Sequence, residues 1–195
     1  DTLPQVMEAG SLDSLRGLEG AAASVYFEVF DDMILRSKET FYYRGRNRRP
    51  PLDNVNAMLS FSYSLLAGSC ASALESVGLD AYVGFLHRDR PGRSLALDLM
   101  EELRPCMADR VVLTLINNQV MRAEDFETAE NGAVLMTDMG RRKFLKSWQE
   151  RKQETITHPY LGEKLPWGLV PYMQALLLAR YLRRDLDAYP PFLWK

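Results

Sequence analysis

The chain has 195 residues and 47% of them are hydrophobic, so it is long enough and apolar enough to fold as one domain around a buried core. Its formal charge of −2 and isoelectric point near 5.8 exclude an overall basic protein, so any contact with nucleic acid must come from local basic patches. No signal peptide is visible, no apolar run approaches the length of a membrane span, and the two cysteines form no metal-binding pair, which together predict a cytoplasmic protein.

The first long helical pattern covers residues 11–38. Ser11 or Asp13 can cap its N-terminus, and apolar residues recur at helical spacing at Leu15, Ala22, Val25, Val29 and Met33. Glu19 lies on the flank of this stripe, beside glycines and alanines that allow another backbone to approach closely. A carboxylate in such a place is stable when an arginine pairs with it, which is the more common case, or when it binds a cation.

An arginine-rich loop follows at residues 41–51. Four arginines alternate there with aromatic and other residues: Arg44, Arg46, Arg48 and Arg49. This density favours a phosphate-binding strip, although a flexible solvated loop is about as common. Asp53 is the predicted N-cap of the next helix, which extends to about Val77, is apolar on nearly every side and ends at Gly78. Such a helix is typical of the centre of a domain.

The segment 84–105 consists of a loop followed by a helix. The loop contains His87 and then three arginines, Arg88, Arg90 and Arg93. Ser94 is the predicted N-cap of the helix, which Pro105 ends or bends. Because guanidinium groups match phosphate oxygens, the three arginines favour an anionic substrate at this place.

Two acids of this helix, Asp98 and Glu101, lie three residues apart and therefore share one helix face. Carboxylates combined with the imidazole of His87 are the ligand types that divalent metals use in phosphate chemistry. A solvated helix face beside a capping loop explains the same residues and is the more common case. The segment alone therefore leaves both readings open.

The second half of the chain continues with helices. Residues 106–122 predict another apolar helix, in which Asn117, Asn118 and Gln119 serve either packing or a site. Asn131-Gly132 predicts a hairpin within residues 126–135. The predicted fold class is accordingly mainly α, a multi-helix domain with at most a small β-hairpin.

A basic helix and an apolar tail complete the chain. Thr137 can cap a helix that extends to about Glu154, whose basic residues form a second positive patch or simply a solvated face; they include Arg141, Arg142, Lys143 and Lys146. His158 and Trp167, in a loop at residues 155–168, are expected to be structural. A final helix covers about residues 169–184, and the tail that follows it is apolar enough to dock on the body of the domain.

Several runs of this sequence resemble the CRISPR-associated integrase family, Cas1, in the form found in a type I (I-C-like) subtype. They are LRGLEGAAASVYF at 15–27, RRPPLDNVNAMLSFSYSLL at 48–66 and GLDAYVGFLHRDRPGRSLALDLMEELRP at 78–105, supported by GRRKF at 140–144 and the ending YPPFLWK. The resemblance covers essentially the whole chain. It implies a helical catalytic domain of a metal-dependent DNA endonuclease or integrase, which uses Mg²⁺ or Mn²⁺ to insert spacer DNA into a CRISPR array in antiviral defence.

The resemblance also implies which residues form the site. The family takes its metal ligands from a Glu of an EG motif, a His after a GF-x motif and an acid on the following helix. In this sequence these positions are Glu19, His87 and Glu101, with Asp98 as the neighbouring catalytic acid. The three arginine- and lysine-rich groups are expected to contact DNA phosphates.

The implied partners are spacer and repeat DNA and the small second subunit Cas2, with the Cas4 nuclease as a further candidate, in a prokaryotic cytoplasm. Family members have an N-terminal β-rich domain that mediates homodimerisation, and no strand-rich segment precedes Ser11. Residues 1–195 are therefore expected to be a single helical catalytic domain without that N-terminal part. Two other functions stay open: a non-catalytic helical DNA-binding or assembly module, and a different metal-dependent hydrolase.

Overall fold

The structure is a computed structural model that describes residues 3–87 and 92–194. The helices are, in chain order, α1 (Leu3–Met7), α2 (Leu12–Glu28), α3 (Asn54–Ser76), α4 (Ser94–Glu101), α5 (Arg110–Asn117), α6 (Asp138–Gln153) and α7 (Val170–Leu182). Short 3₁₀ turns lie at Asp31–Met33, Ala123–Asp125 and Trp167–Leu169, and a π-helix at Arg104–Asp109. With 56% of the chain helical, the predicted mainly α class is confirmed.

The β structure of the described residues is limited to two antiparallel hairpins. Strands β1 (Phe126–Thr128) and β2 (Val134–Met136) form the predicted hairpin, and Gly132 in its loop has φ +80°, which favours glycine. Strands β3 (Thr155–Thr157) and β4 (Lys164–Pro166) form a second hairpin in the segment that the sequence analysis expected to be a loop. Strands of three residues carry too little periodicity to be recognised from sequence.

Helix α3 lies in the centre of the domain, as predicted. Its N-cap is Asp53, whose carboxylate accepts a hydrogen bond of 2.7 Å from the backbone N–H of Asn56. The helix packs against α4, α7 and the π-helix. By length and composition it could also cross a membrane, contrary to the expectation that no apolar run is long enough, but half of its most apolar window is buried inside the protein.

Helix α2 is shorter than predicted and packs through a different face. Ser11 caps it by accepting from the N–H of Ser14, but the helix ends at Glu28 and not near residue 38. Val25 and Val29 of the predicted stripe are 64% and 50% exposed. The packed side is instead aromatic: Tyr26 and Phe27 of the helix pack against the core together with the fully buried Phe30, which follows the helix. Aromatic rings bury more apolar area than valines do, so they determine which face turns inward.

The start of α4 also differs from the expectation. Ser94 is already helical and does not cap the helix with its side chain. The carbonyl of Ala81 accepts from the N–H groups of Leu95 and Ala96, at 2.9 and 3.3 Å, and so satisfies the first turn. After α4 the chain forms the π-helix around Pro105, whose missing N–H interrupts the helical hydrogen bonds, and then continues directly into α5.

Helix α5 is shorter than the predicted helix over residues 106–122, because the first of these residues belong to the π-helix and α5 ends at Asn117. The elements after it follow the predictions more closely. Thr137 caps α6 by accepting from Gly140 N–H at 3.1 Å. Asn117 is a packing residue, because its side-chain amide bonds the backbone of Met33 and Leu35 at 2.9 and 2.8 Å. The C-terminal tail docks on the body, where Phe192 is 4% exposed.

Candidate active site

The predicted His87 and Asp98 form a direct pair. The Asp98 carboxylate lies 2.6 Å from His87 Nδ1 and also accepts the backbone N–H of His87, at 3.2 Å. It accepts the N–H groups of Phe85 and Leu86 as well, at 2.5 and 3.2 Å. An ionised carboxylate can only accept, so in the neutral ring Nδ1 carries the proton and Nε2 keeps its lone pair. A histidine held in this way by a carboxylate is the usual arrangement of a metal-ligating histidine.

Gly84 explains how the loop reaches Asp98. A Cβ at this position would lie 2.7 Å from the backbone carbon and Cβ of Ser94 and 2.8 Å from Asp98 Oδ2. No side chain fits in that space, so glycine permits the close approach of the loop to α4. The close approach brings three consecutive amides within hydrogen-bond distance of one carboxylate.

Glu101, on the same helix as Asp98, is paired with an arginine. One terminal nitrogen of Arg104 donates to both carboxylate oxygens of Glu101, at 2.8 and 2.7 Å. Both side chains keep contact with solvent, since they are 22% and 30% exposed. The Arg104 guanidinium also lies over the ring of Tyr63, 4.7 Å from its centroid.

Behind this pair lies a buried carboxylate, Asp109. Tyr63 donates to it at 2.6 Å and Tyr26 at 3.0 Å. Burial raises the pKa of Asp109, although both tyrosine hydrogen bonds act in the opposite direction. The bond to Tyr26 fixes the second half of α2 against the π-helix.

Glu19 is exposed on α2. Three residues earlier, Arg16 donates two hydrogen bonds to the carbonyl of Leu86, at 2.9 and 2.6 Å. Residues 16, 19 and 26 share one broad face of the helix, since helical neighbours three, four and seven residues apart lie close in angle. Glu19 therefore lies on the face that contacts the loop before His87 at one end and Asp109 at the other.

The structure brings His87 and Asp98 into contact and leaves the other two predicted ligands apart. Among residues 3–87 and 92–194, no three His, Cys, Asp or Glu side chains are close enough together to hold a metal ion. The donor types nevertheless fit a hard divalent cation: an imidazole whose Nε2 has no hydrogen-bond partner among these residues, and two solvent-accessible carboxylates. These donor types belong to Glu19, His87 and Glu101, whose side chains do not converge on one point in this structure.

The arginine-rich loop contains both exposed and fixed arginines. Arg44, Arg48 and Arg49 are exposed, and Arg44 lies over the Tyr42 ring at 4.9 Å. Arg46 is fixed by hydrogen bonds, because it donates to Asn56 and Ser60 of α3, at 2.7 and 3.0 Å. The loop therefore presents three guanidinium groups to solvent and uses the fourth to attach itself to α3.

The other predicted basic groups differ in how far they are already paired. Arg88 and Arg90 lie outside the described residues, and Arg93 is exposed. On α6, Lys143 bonds the buried Asp125 at 2.7 Å, so its charge is largely used within the fold. Arg141 pairs with Asp138 and Lys146 with Glu150, both at the surface, and Arg142 is exposed.

Sequence reasoning missed the residues around Glu101. Arg104 follows Glu101 by three residues, which is a recognisable ion-pair spacing, but Tyr63 and Asp109 are 46 residues apart and carry no local signal. Glu102, which points away from the site, was also missed as an anchor of the tail. Its carboxylate accepts from Tyr189, Gln174 and the backbone of Phe192, at 2.5, 2.7 and 2.7 Å.

Comparison with known proteins gives a consistent family. The family model described as CRISPR associated protein Cas1 matches residues 1–150. A CRISPR-associated endonuclease Cas1 from Rhodospirillum rubrum is 61% identical over 96% of this chain and 55% of its own length. A CRISPR-associated endonuclease Cas1 from Chlorobaculum tepidum is 53% identical over 98% of this chain and 56% of its own length. A Cas4 exonuclease/Cas1 endonuclease fusion from Geobacter sulfurreducens is 42% identical over 98% of this chain and 35% of its own length.

Comparison with solved structures gives the same family. A casposase bound to its integration product superposes with a TM-score of 0.88 at 31% identity, over all of this chain and 55% of that one. A Cas1 protein from Thermotoga maritima gives a TM-score of 0.82 at 28% identity, over 92% of this chain and 55% of that one. A chain of a partial Cas6-RT-Cas1–Cas2 complex gives a TM-score of 0.79 at 25% identity, over 98% of this chain and 56% of that one. The chain thus spans about half the length of the curated relatives and structures it matches.

Proposed function

The chain belongs to the Cas1 family of CRISPR-associated proteins, and from this premise we propose that it is the helical catalytic region of a metal-dependent DNA integrase that inserts spacer DNA into a CRISPR array. We further propose a type I, I-C-like form, on the run GRRKF at 140–144 and the ending YPPFLWK. The observation that carries the proposal is the Asp98–His87 pair, which orients the imidazole and leaves Nε2 available. The similarity to a casposase bound to an integration product supports it.

The proposed reaction is phosphoryl transfer. The 3′-hydroxyl oxygen of a spacer end forms a bond to the phosphorus of a repeat-boundary phosphodiester, the bond from phosphorus to the repeat 3′-oxygen breaks, and that oxygen takes up a proton. Hydrolysis is the same reaction with water as the nucleophile. Mg²⁺ or Mn²⁺, held by Glu19, His87 and Glu101, would supply Lewis-acid stabilisation of the developing negative charge. Asp98 would keep His87 in the required orientation.

We propose that the exposed basic residues bind the DNA backbone. Arg44, Arg48 and Arg49 would contact phosphates beside α2, and Arg88, Arg90 and Arg93 beside His87. Arg141, Arg142, Lys143 and Lys146 would extend the track, with Lys143 contributing least because it is paired with Asp125. Arg46 would act mainly by attaching the loop to α3.

The proposed partners are DNA, Cas2 and the Cas4 nuclease, and a second copy of the protein when the family's N-terminal domain is present. The similarity to a casposase bound to an integration product supports DNA, and the similarity to a Cas1–Cas2 complex and to a Cas4/Cas1 fusion supports the two proteins. We further propose that residues 1–195 form one catalytic domain and that the protein works in the prokaryotic cytoplasm.

Calorimetry with MnCl₂ tests the proposal directly. We expect the wild-type chain to bind Mn²⁺ and Glu19→Ala to weaken binding by about tenfold or more. Glu130→Ala, which removes an exposed acid from the β1–β2 loop, serves as the matched control and should bind as the wild type does.

The competing functions predict different results. A non-catalytic DNA-binding or assembly module would bind DNA, bind no Mn²⁺ and show no strand transfer. A different metal hydrolase would bind Mn²⁺ but act equally well on substrates without DNA ends or branches. Strand transfer that requires Mn²⁺ and is lost in Glu19→Ala, with DNA binding retained, would exclude both.

A further inference from the structure

The pair between Glu101 and Arg104 places a positive charge on a proposed metal ligand. A single nitrogen of Arg104 is within 2.8 Å of one Glu101 oxygen and 2.7 Å of the other. The guanidinium therefore engages both oxygens of the carboxylate on the same side. A cation that uses either oxygen must approach this positive charge.

Arg104 is held at this place by more than Glu101. Its guanidinium stacks over the Tyr63 ring, and the Tyr63 hydroxyl is fixed in turn by Asp109 at 2.6 Å. The arginine also follows Leu103, which is fully buried at the junction of α4 and the π-helix. Because these contacts come from α3 and the π-helix, the guanidinium stays near Glu101 even when the carboxylate turns away.

Two positive charges that share one carboxylate repel each other, and the repulsion grows as water is excluded. The guanidinium is permanently charged, so it cannot relieve the repulsion by losing a proton. The remaining way to reduce the repulsion is for one cation to displace the other.

We propose that Arg104 is a resident counter-cation that competes with the divalent metal for Glu101, and that metal binding frees its guanidinium for the phosphate of the bound DNA. The inference rests on the proposed metal-dependent function. Arg104 is then a positioning residue for Glu101 before the metal binds and a phosphate-binding residue afterwards. Its location at the start of the π-helix, three residues after the ligand that it controls, suits both roles.

The test is calorimetry with MnCl₂ alone on the full chain. Arg104→Gln and Arg104→Met both remove the charge, and the methionine retains an apolar stem against the Tyr63 ring in case the glutamine variant is poorly folded. We expect both variants to bind Mn²⁺ more tightly than the wild type, by about threefold or more. Arg104→Lys keeps a charge and should stay close to the wild-type affinity.

Arg183→Gln is the matched control, because it removes one positive charge from an exposed ion pair with Asp185 after α7. It should leave Mn²⁺ affinity unchanged, which would show that overall charge is not the cause. Unchanged or weaker Mn²⁺ binding in both neutral Arg104 variants would overturn the inference alone, provided that Glu19→Ala still weakens binding. Absence of Mn²⁺ binding in the wild type and in every variant would overturn the proposed function as well.

The second role has its own readout. With Mn²⁺ present, Arg104→Gln should weaken binding of a short DNA duplex and reduce the salt dependence of that binding by about one phosphate contact. Without Mn²⁺, the wild type and the variant should bind the duplex equally. Equal binding under both conditions would overturn the proposed release of Arg104 to the DNA.

Discussion

Two polar clusters meet at the C-terminal end of α4, and they differ in what satisfies their carboxylates. The Glu101 cluster contains Arg104, Tyr63 and Asp109, and its ion pair is in contact with solvent. The Glu102 cluster contains Gln174, Tyr189 and the tail backbone, and it fills both carboxylate oxygens with neutral donors. The two glutamates are adjacent in sequence and lie on different sides of the helix.

The Glu101 carboxylate has a partner that can be replaced, whereas the partners of the Glu102 carboxylate are part of the fold. Among the described residues, Glu101 is bound by a single side chain, that of Arg104, which we propose a metal ion displaces. Glu102 joins α4 to α7 and to the tail through three hydrogen bonds, and burial raises its pKa even though these bonds act in the opposite direction. We therefore propose that the chain uses Glu101 for chemistry, whereas Glu102 holds α4, α7 and the tail together.

The largest effect should come from removing Glu101. Glu101→Ala should reduce strand transfer by about a thousandfold, because it removes a ligand of the proposed metal that stabilises the transition state. The midpoint of urea unfolding should change little, since the ion pair is partly exposed. Strand-transfer rates and DNA affinity, measured on the same samples, would check this.

Retained strand transfer in Glu101→Ala would remove Glu101 from the site. The prediction also requires that Glu101→Ala still binds DNA. If DNA binding were lost together with activity, the carboxylate would have a structural role and the contrast with Glu102 would disappear.

Glu102→Ala should, in contrast to Glu101→Ala, lower the stability of the fold. It removes the acceptor of the Tyr189 hydroxyl and of the Phe192 N–H in a largely buried place, which costs about 3 kcal/mol in free energy of unfolding. Gln174 loses one of its acceptors but still donates to Tyr189 and Pro190. Glu102→Gln keeps one acceptor oxygen and should cost less. Urea unfolding followed by circular dichroism gives both values, and an equal loss in the two variants would contradict the hydrogen-bond explanation.

The local parts of the fold could be predicted from the sequence. Ser11, Asp53 and Thr137 cap their helices as expected, because an N-cap depends on residues three positions away. Ser94 failed as a cap since the carbonyl of Ala81 takes that role through a tertiary contact. The inward face of α2 also depends on a contact outside the helix: Phe27 stacks on Tyr43.

The candidate site could be predicted only where its residues are near in sequence. His87 and Asp98 are eleven residues apart, and the structure joins them. The surroundings of Glu101 depend on Tyr63 from α3, which no spacing rule connects to the π-helix. The role of Glu102 likewise required the position of the tail, 87 residues away at Tyr189.

Asp98→Asn should have an intermediate effect. The amide keeps one acceptor oxygen, but its NH₂ group faces donors, so His87 loses its fixed orientation. We expect Mn²⁺ affinity to fall about 10- to 100-fold, the usual effect of losing such an outer partner of a ligand. Calorimetry measures this fall, and unchanged affinity would separate His87 from the metal site.

The smallest expected effect is a pH dependence of stability caused by His158, which bonds Gln174 of the Glu102 cluster. His158 is fully buried, with Nε2 3.1 Å from the Gln174 carbonyl oxygen and Nδ1 accepting two backbone N–H groups at 3.3 Å. Both nitrogens are therefore used by the neutral ring, as donor and acceptor. Burial lowers the pKa of His158 below its ordinary value of 6.5, and the bond to Gln174 only partly opposes this.

A lowered histidine pKa means that the unfolded chain takes up a proton near pH 6.5 while the folded chain does so only at lower pH. The free energy of unfolding should therefore fall as the pH decreases through this window. His158→Gln removes this contribution, so the stability difference between wild type and variant should shrink from pH 8 to pH 5. Glu102 and Asp109, whose raised pKa values favour the folded state in acid, are present in both proteins and cancel in the difference. Urea midpoints at several pH values give that difference, and a value independent of pH would show that His158 accepts a proton as readily in the folded chain as in the unfolded one.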